Sequence, residues 1–153
     1  MRKIVFSALV ALLFFGTNNL YAQTKSQLQQ MYVSYLKAEG YQPSIDSDGD
    51  VKFTAEGLSL YIDIDEQLKD PNYFRIALQT SVEYKTKAER LKAFEAANIA
   101  NRTTRIAKVY ITSSNKTAII AEGFITKADD AKEHLKRMVN AMLVARKTFA
   151  ENM

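Results

Sequence analysis

The hydrophobic period of this chain runs from about 3.6 residues to 2 and back again, which excludes an all-helical bundle and an all-β sandwich alike. Leu28, Met31, Tyr32, Tyr35 and Leu36 fall on one helical face. Ser26-Gln27-Leu28-Gln29 has the form of a capping box and Gly40 stands where a left-handed C-cap belongs, so the spacing predicts a helix over about 26–39. From Tyr41 the period is two. Val51 and Phe53 alternate with Lys52, and Leu58, Leu60, Ile62 and Ile64 alternate with Ser59, Tyr61 and Asp63, the pattern of strands with one buried face. Asp46-Ser47-Asp48-Gly49-Asp50 and Glu56-Gly57 supply the turns between them. After a break at Lys69-Asp70-Pro71-Asn72, Phe74, Ile76, Leu78 and Thr80 alternate toward Tyr84. Three or four antiparallel strands in a meander follow from this pattern.

The helical period then returns. Thr86-Lys87-Ala88-Glu89 is a second capping box and opens a helix over about 87–101 that places Leu91, Phe94, Ala97 and Asn98 on one side. Arg105 to Thr112 and Thr117 to Thr126 form a hairpin around Ser113-Ser114-Asn115-Lys116, with Ala107, Val109 and Ile111 alternating against Lys108 and Tyr110. The last element begins at Thr126 or Asp129 and repeats Ala131, Leu135, Met138, Met142, Ala145 and Phe149 at helical spacing. It is the longest helix and the expected main cover of the sheet. The reading is one α+β domain, an antiparallel sheet of about five to six strands with helices packed on it, in the order α-β-β-β-(β)-α-β-β-α.

The segment before that domain reads as a targeting signal. Met1-Arg2-Lys3 is a positive start, Ile4 to Phe15 carries no charge, and Leu20-Tyr21-Ala22 is a cleavage site. The apolar run is shorter than the ~20 residues a spanning helix needs, so stable membrane insertion is not expected once residues 1–22 are removed. The remaining 23–153 form the single domain, destined for the periplasm or for secretion. It has no Cys, which removes disulfides and thiol catalysis, but a core of this size needs no staple.

Charge excludes more than it assigns. The domain holds 19 basic and 17 acidic residues, too even a balance for a nucleic-acid partner. Its halves are opposed: residues 23–84 carry 5 basic and 10 acidic side chains, residues 85–153 carry 14 and 7. Opposed halves steer two copies together, and they also describe two solvated faces of one domain.

Candidate chemistry is sparse. His134 is the single histidine, next to core-facing Leu135, with no nucleophile elbow or second histidine beside it, so it reads as a solvated helix residue. Asp46, Asp48 and Asp50 resemble the opening of a calcium loop, but glycine stands at loop position 4 where such a loop needs it at 6, and Gly57 occupies the place of the closing Glu. A hairpin turn is the simpler reading. Asp63, Asp65 and Glu66 read as the solvated end of a strand. Asn101-Arg102-Thr103 and Asn115-Lys116-Thr117 fit the glycosylation sequon. No metal or cofactor is expected. If Leu60, Ile76 and Val109 face the helices, Tyr61, Arg75, Lys108 and Tyr110 share the opposite face and form a candidate protein-contact surface.

Several local motifs carry a family resemblance: Leu36-Lys37-Ala38-Glu39-Gly40-Tyr41, Asp48-Gly49-Asp50-Val51-Lys52-Phe53, Tyr61 to Ile64, Asp70-Pro71-Asn72-Tyr73-Phe74, and Asn98 and Asn101 ahead of Lys108-Val109-Tyr110. From about Leu28 to Phe149 the chain resembles the YbjN-like family of small bacterial proteins, whose fold is similar to the chaperones of type III secretion. The resemblance implies packing and turn positions and carries over no catalytic residue. Two classes of function stay open: a non-enzymatic interaction domain that binds a protein partner or forms a homodimer, and a cation- or small-ligand-binding carrier or enzyme.

Overall fold

The computed structural model describes residues 23–153, and the expected signal segment, 1–22, lies outside the described residues. Helix α1 (Lys25–Ala38) leads into β1 (Ser44–Ile45), β2 (Val51–Ala55) and β3 (Leu58–Ile62). A short α2 (Ile64–Lys69) precedes β4 (Tyr73–Glu83), and α3 (Lys87–Thr103) crosses to the hairpin of β5 (Ala107–Ile111) and β6 (Lys116–Phe124). Helix α4 (Asp130–Glu151) closes the chain. All six strands pair antiparallel in the order β1-β2-β3-β4-β6-β5. This is the α+β class expected, with α2 formed where the pattern suggested the solvated end of a strand.

Local chemistry sets most boundaries. Thr24 caps α1: its hydroxyl accepts from the Gln27 amide while the Gln27 side chain accepts from the Thr24 amide. The Ser26 box is therefore corrected by two residues. Both tetrapeptides have the capping form, and the extended backbone at Thr24 decides between them. At the other end Gly40, at φ +86°, closes a Schellman motif, with its amide on the Lys37 carbonyl and that of Tyr41 on Leu36. Thr86 and Glu89 form their box as read from the sequence. In the β1–β2 turn, Asp46 Oδ1 accepts from the amides of Asp48, Gly49 and Asp50, and Gly49 supplies φ +90°.

The strand expected to run through Ile64 ends at Ile62. Asp63 instead caps α2, accepting from the Glu66 amide, and Asp50 Oδ1 accepts from that of Ile64. Ile64 and Gln67 are both buried, three residues apart on the inner face of α2. Inside, the Tyr32 hydroxyl donates to Gln67 Oε1 at 2.8 Å and its ring stacks on Phe74 at 5.6 Å. Burial pushes the Tyr32 pKa well above the ordinary phenol range, so the hydroxyl stays a donor.

Helix α4 buries the whole expected stripe from Ala131 to Phe149. Helix α3 does not follow expectation. Leu91 and Phe94 are 58% and 46% exposed and Asn98 is exposed, while Ala93, Ala96, Ala97 and Ala100 are buried. An alanine stripe lets α3 approach α4 and β5 closely, and the displaced Phe94 ring lies outside under the Arg90 guanidinium at 5.8 Å. Proximity to β5 also manages the sheet edge. The Asn101 amide donates to the Val109 carbonyl at 2.9 Å and accepts from its N–H at 2.7 Å, occupying outward-facing groups of an edge strand. That pairing occupies the Asn101 sequon from within the fold.

Candidate functional site

Strand register places the four residues read from alternation on one face. Tyr61 pairs with Ala77, Arg75 with Glu122, Lys108 with Ile120 and Tyr110 with Ala118, while Leu60, Ile76 and Val109 are buried on the other side beneath the helices. Register also adds Lys52, Tyr73 and Glu122, which alternation alone did not single out. Tyr73 was legible, two residues before Arg75 on the same strand. Glu122 was not, because it reaches this group only through pairing between strands far apart in sequence.

These side chains interlock. The Tyr73 hydroxyl and the Lys108 ammonium both donate to the Glu122 carboxylate. The Arg75 guanidinium lies between Asp63, at 3.5 Å, and the Tyr110 hydroxyl, at 3.4 Å. Lys52 sits over the Tyr61 ring, 5.7 Å from its centroid, and Tyr73 meets Phe124 edge-on at 6.3 Å. The Arg75 contacts are longer than a well-formed hydrogen bond, and its Nε is buried without a partner among the described residues. Arg75 is thus a positioned cation with loosely used donors, flanked by aromatic rings.

Electrostatics within the network agree from both sides. The Lys108 ammonium, and after it the Tyr73 hydroxyl, hold the Glu122 carboxyl below the usual carboxylate range. Burial, and then the Glu122 charge, push the Tyr73 hydroxyl up. A depressed carboxyl pKa contributes stability that is complete above the unfolded value of about 4.3 and is lost as pH falls through the lower folded value. Wild type is therefore expected to lose more stability between about pH 5 and about pH 3 than Glu122→Gln does. Thermal melts across that range check it; parallel curves would mean that Glu122 is not coupled to folding.

The remaining candidates lie elsewhere. Asp46, Asp48 and Asp50 form the β1–β2 turn, clamped by Lys25, which donates to the Asp48 carbonyl and pairs with Asp65 at 2.7 Å, and by Gln29, which donates to the Gly49 carbonyl. Burial raises the Asp50 pKa against the opposing hydrogen bond from Ile64. His134 is exposed on α4, beside a small cavity at the end of β6. Among the described residues no helix is long and apolar enough to cross a membrane.

Comparison with known proteins adds a family and a fold. A family model described as "Putative bacterial sensory transduction regulator", that of YbjN, matches residues 33–153. A solved structure titled "Crystal structure of an uncharacterized protein from Methanothermobacter thermautotrophicus" is similar at TM-score 0.50 and 16% identity, covering 81% of this chain and 97% of that one. At that identity the likeness is one of fold. No curated protein matches the sequence.

Proposed function

We propose that this chain, which belongs to the YbjN family, is a non-enzymatic interaction domain that binds a protein partner or a second copy of itself through the open face of its sheet. The observation that carries the reading is Arg75: a positioned guanidinium whose contacts are long, set between Tyr110 and Asp63 and close to Tyr73 and Lys108. Tyrosine and arginine contribute strongly to binding when a partner excludes water from them, and a carbonyl or carboxylate would complete the Nη donors of Arg75, whose present contacts are long. Lys108 and Glu122, already paired, set the register of the contact more than its strength.

Charge supports self-association as one form of it. The acidic half, residues 23–84, supplies β1 to β4, and the basic half, residues 85–153, supplies β5 and β6. Because the sheet order is β1-β2-β3-β4-β6-β5, opposite charge predominates toward opposite edges of the sheet. Two copies related by a twofold axis can then meet with acidic edge against basic edge. The proposed setting is the periplasm or the exterior, after cleavage behind Ala22, with no nucleic acid and no cofactor involved.

One preparation tests these points. Protein recovered from the envelope fraction should have the mass of residues 23–153, and light scattering should give a dimer or a partner complex. Tyr61→Ala with Tyr110→Ala should weaken that association by about 2 kcal/mol or more while circular dichroism stays unchanged. A wild-type monomer that captures nothing, or a folded double variant that associates like wild type, would favour the ligand-carrier reading instead.

A further inference from the structure

Past the start of β5 the sheet has an open edge. Because β5 begins at Ala107, opposite Ala121, residues Glu122, Gly123 and Phe124 of β6 run on with β4 beside them and, among the described residues, no strand on the other side, where Ile106 leads into β5. On the helix side of this edge is a cavity of about 250 Å³ lined by Phe74, Ile106, Ile125 and Met138, with exposed His134 and Arg137 of α4 also facing it.

Gly123 opens that cavity. It lies on the same side of β6 as Thr117, Ile119 and Ala121, all fully buried. A Cβ built there would meet nothing within 4 Å, and Gly123 is not among the glycines with positive φ. Neither backbone conformation nor crowding among the described residues requires a glycine. A glycine inside a strand weakens it and often marks a bulge, a tight bend or the close approach of a ligand or another backbone, and the register through Gly123 is regular, with no bulge.

Charge narrows the occupant. Arg137 forms no ion pair among the described residues. The acidic lining residue, Glu122, is already engaged by Lys108 and Tyr73 on the opposite face of the sheet. What remains is an apolar slot beside a guanidinium and an imidazole, the complement of a large apolar group carrying a carboxylate. Pockets for drug-sized ligands run about 300–1,000 Å³, so this one suits a single large side chain.

We propose that the site binds the free C-terminus of a partner polypeptide ending in a large apolar residue. The segment adds as a short strand to the Glu122–Phe124 edge, its last side chain fills the slot left by Gly123, and its carboxylate pairs with Arg137. The strand end beyond β5 favours a polypeptide over a free organic acid, because a peptide backbone can extend the ladder there in register. The site shares the Glu122–Phe124 segment with the sheet-face contact but opens on the opposite, helix side of the sheet, and its test does not depend on that contact.

The test uses a fluorescent hexapeptide ending in Leu with a free carboxylate, the same peptide as its C-terminal amide, and octanoate as a competitor, each titrated against the purified protein by fluorescence anisotropy. The acid peptide should bind about tenfold or more tightly than the amide, and octanoate should not displace it at equal concentration. Gly123→Val should abolish binding while raising the melting temperature, since it fills the slot and improves the strand. Arg137→Gln should leave the melting temperature unchanged and erase the difference between acid and amide. If Gly123→Val does not fold, Gly123→Ala and Arg137→Gln carry the test. No binding by wild type, equal binding of acid and amide, displacement by octanoate, or a folded Gly123→Val that binds normally would each overturn the proposal.

Discussion

Leu135→Ala is expected to destabilise the protein by about 2–5 kcal/mol, while His134→Ala, one residue away, changes stability by less than about 0.5 kcal/mol. Leu135 is 1% exposed on the α4 stripe that covers the sheet, so truncation loses its transfer free energy and leaves a cavity whose neighbours collapse only in part. His134 is exposed on the same turn, at the rim of the open cavity beside β6, and no side-chain hydrogen bond holds it among the described residues. Urea denaturation of the two variants beside wild type measures both. Comparable losses would place His134 in the core and show α4 rotated from its described position.

Ala96→Leu is expected to cost about 1–3 kcal/mol or more, whereas Leu91→Ala and Phe94→Ala each stay within about 1 kcal/mol of wild type. Ala96 is fully buried where α3 approaches α4 and β5, and three added carbons force the helices apart or drive side chains off their rotamers. Leu91 and Phe94 leave little behind because each is about half exposed, and Phe94 also loses its contact with Arg90. Hydropathy alone orders these three in reverse, so shifts in the denaturation midpoint discriminate between the two helix phases. A tolerated Ala96→Leu together with a severe Leu91→Ala would restore the phase read from the sequence.

The α3 case shows where sequence reading stops. From spacing alone a helix is expected to bury its large apolar side chains, and on α3 two of the three, Leu91 and Phe94, lie outside. Here the gain comes from close backbone approach across a row of alanines, which is a property of the helix and its neighbours together. The strand read through Ile64 fails for a related reason. Ile62-Asp63-Ile64 has perfect period-two alternation, yet Asp63 gains a helix cap and the Ile64 amide gains the Asp50 carboxylate, a partner 14 residues away.

Of the candidate face, Tyr61, Arg75, Lys108 and Tyr110 were legible because alternation within a strand assigns each residue to one side or the other. Their partners were not. Tyr73 and Glu122 meet across 49 residues of sequence, and nothing local specifies that β6 inserts beside β4.

What the amino-acid sequence determined by itself lies within about one turn of helix or one strand: the Thr86 capping box, the Gly40 stop, the Asp46–Asp50 turn, and the apolar stripe of α4. Those interactions join residues a few positions apart, so their geometry follows from spacing. Only the tertiary structure decided which face of α3 is buried, where β5 stops short of β6, and that Gly123 leaves a slot beside Arg137. Each of these depends on register and distance between segments remote in the chain, and those are set when the whole core packs to close contact.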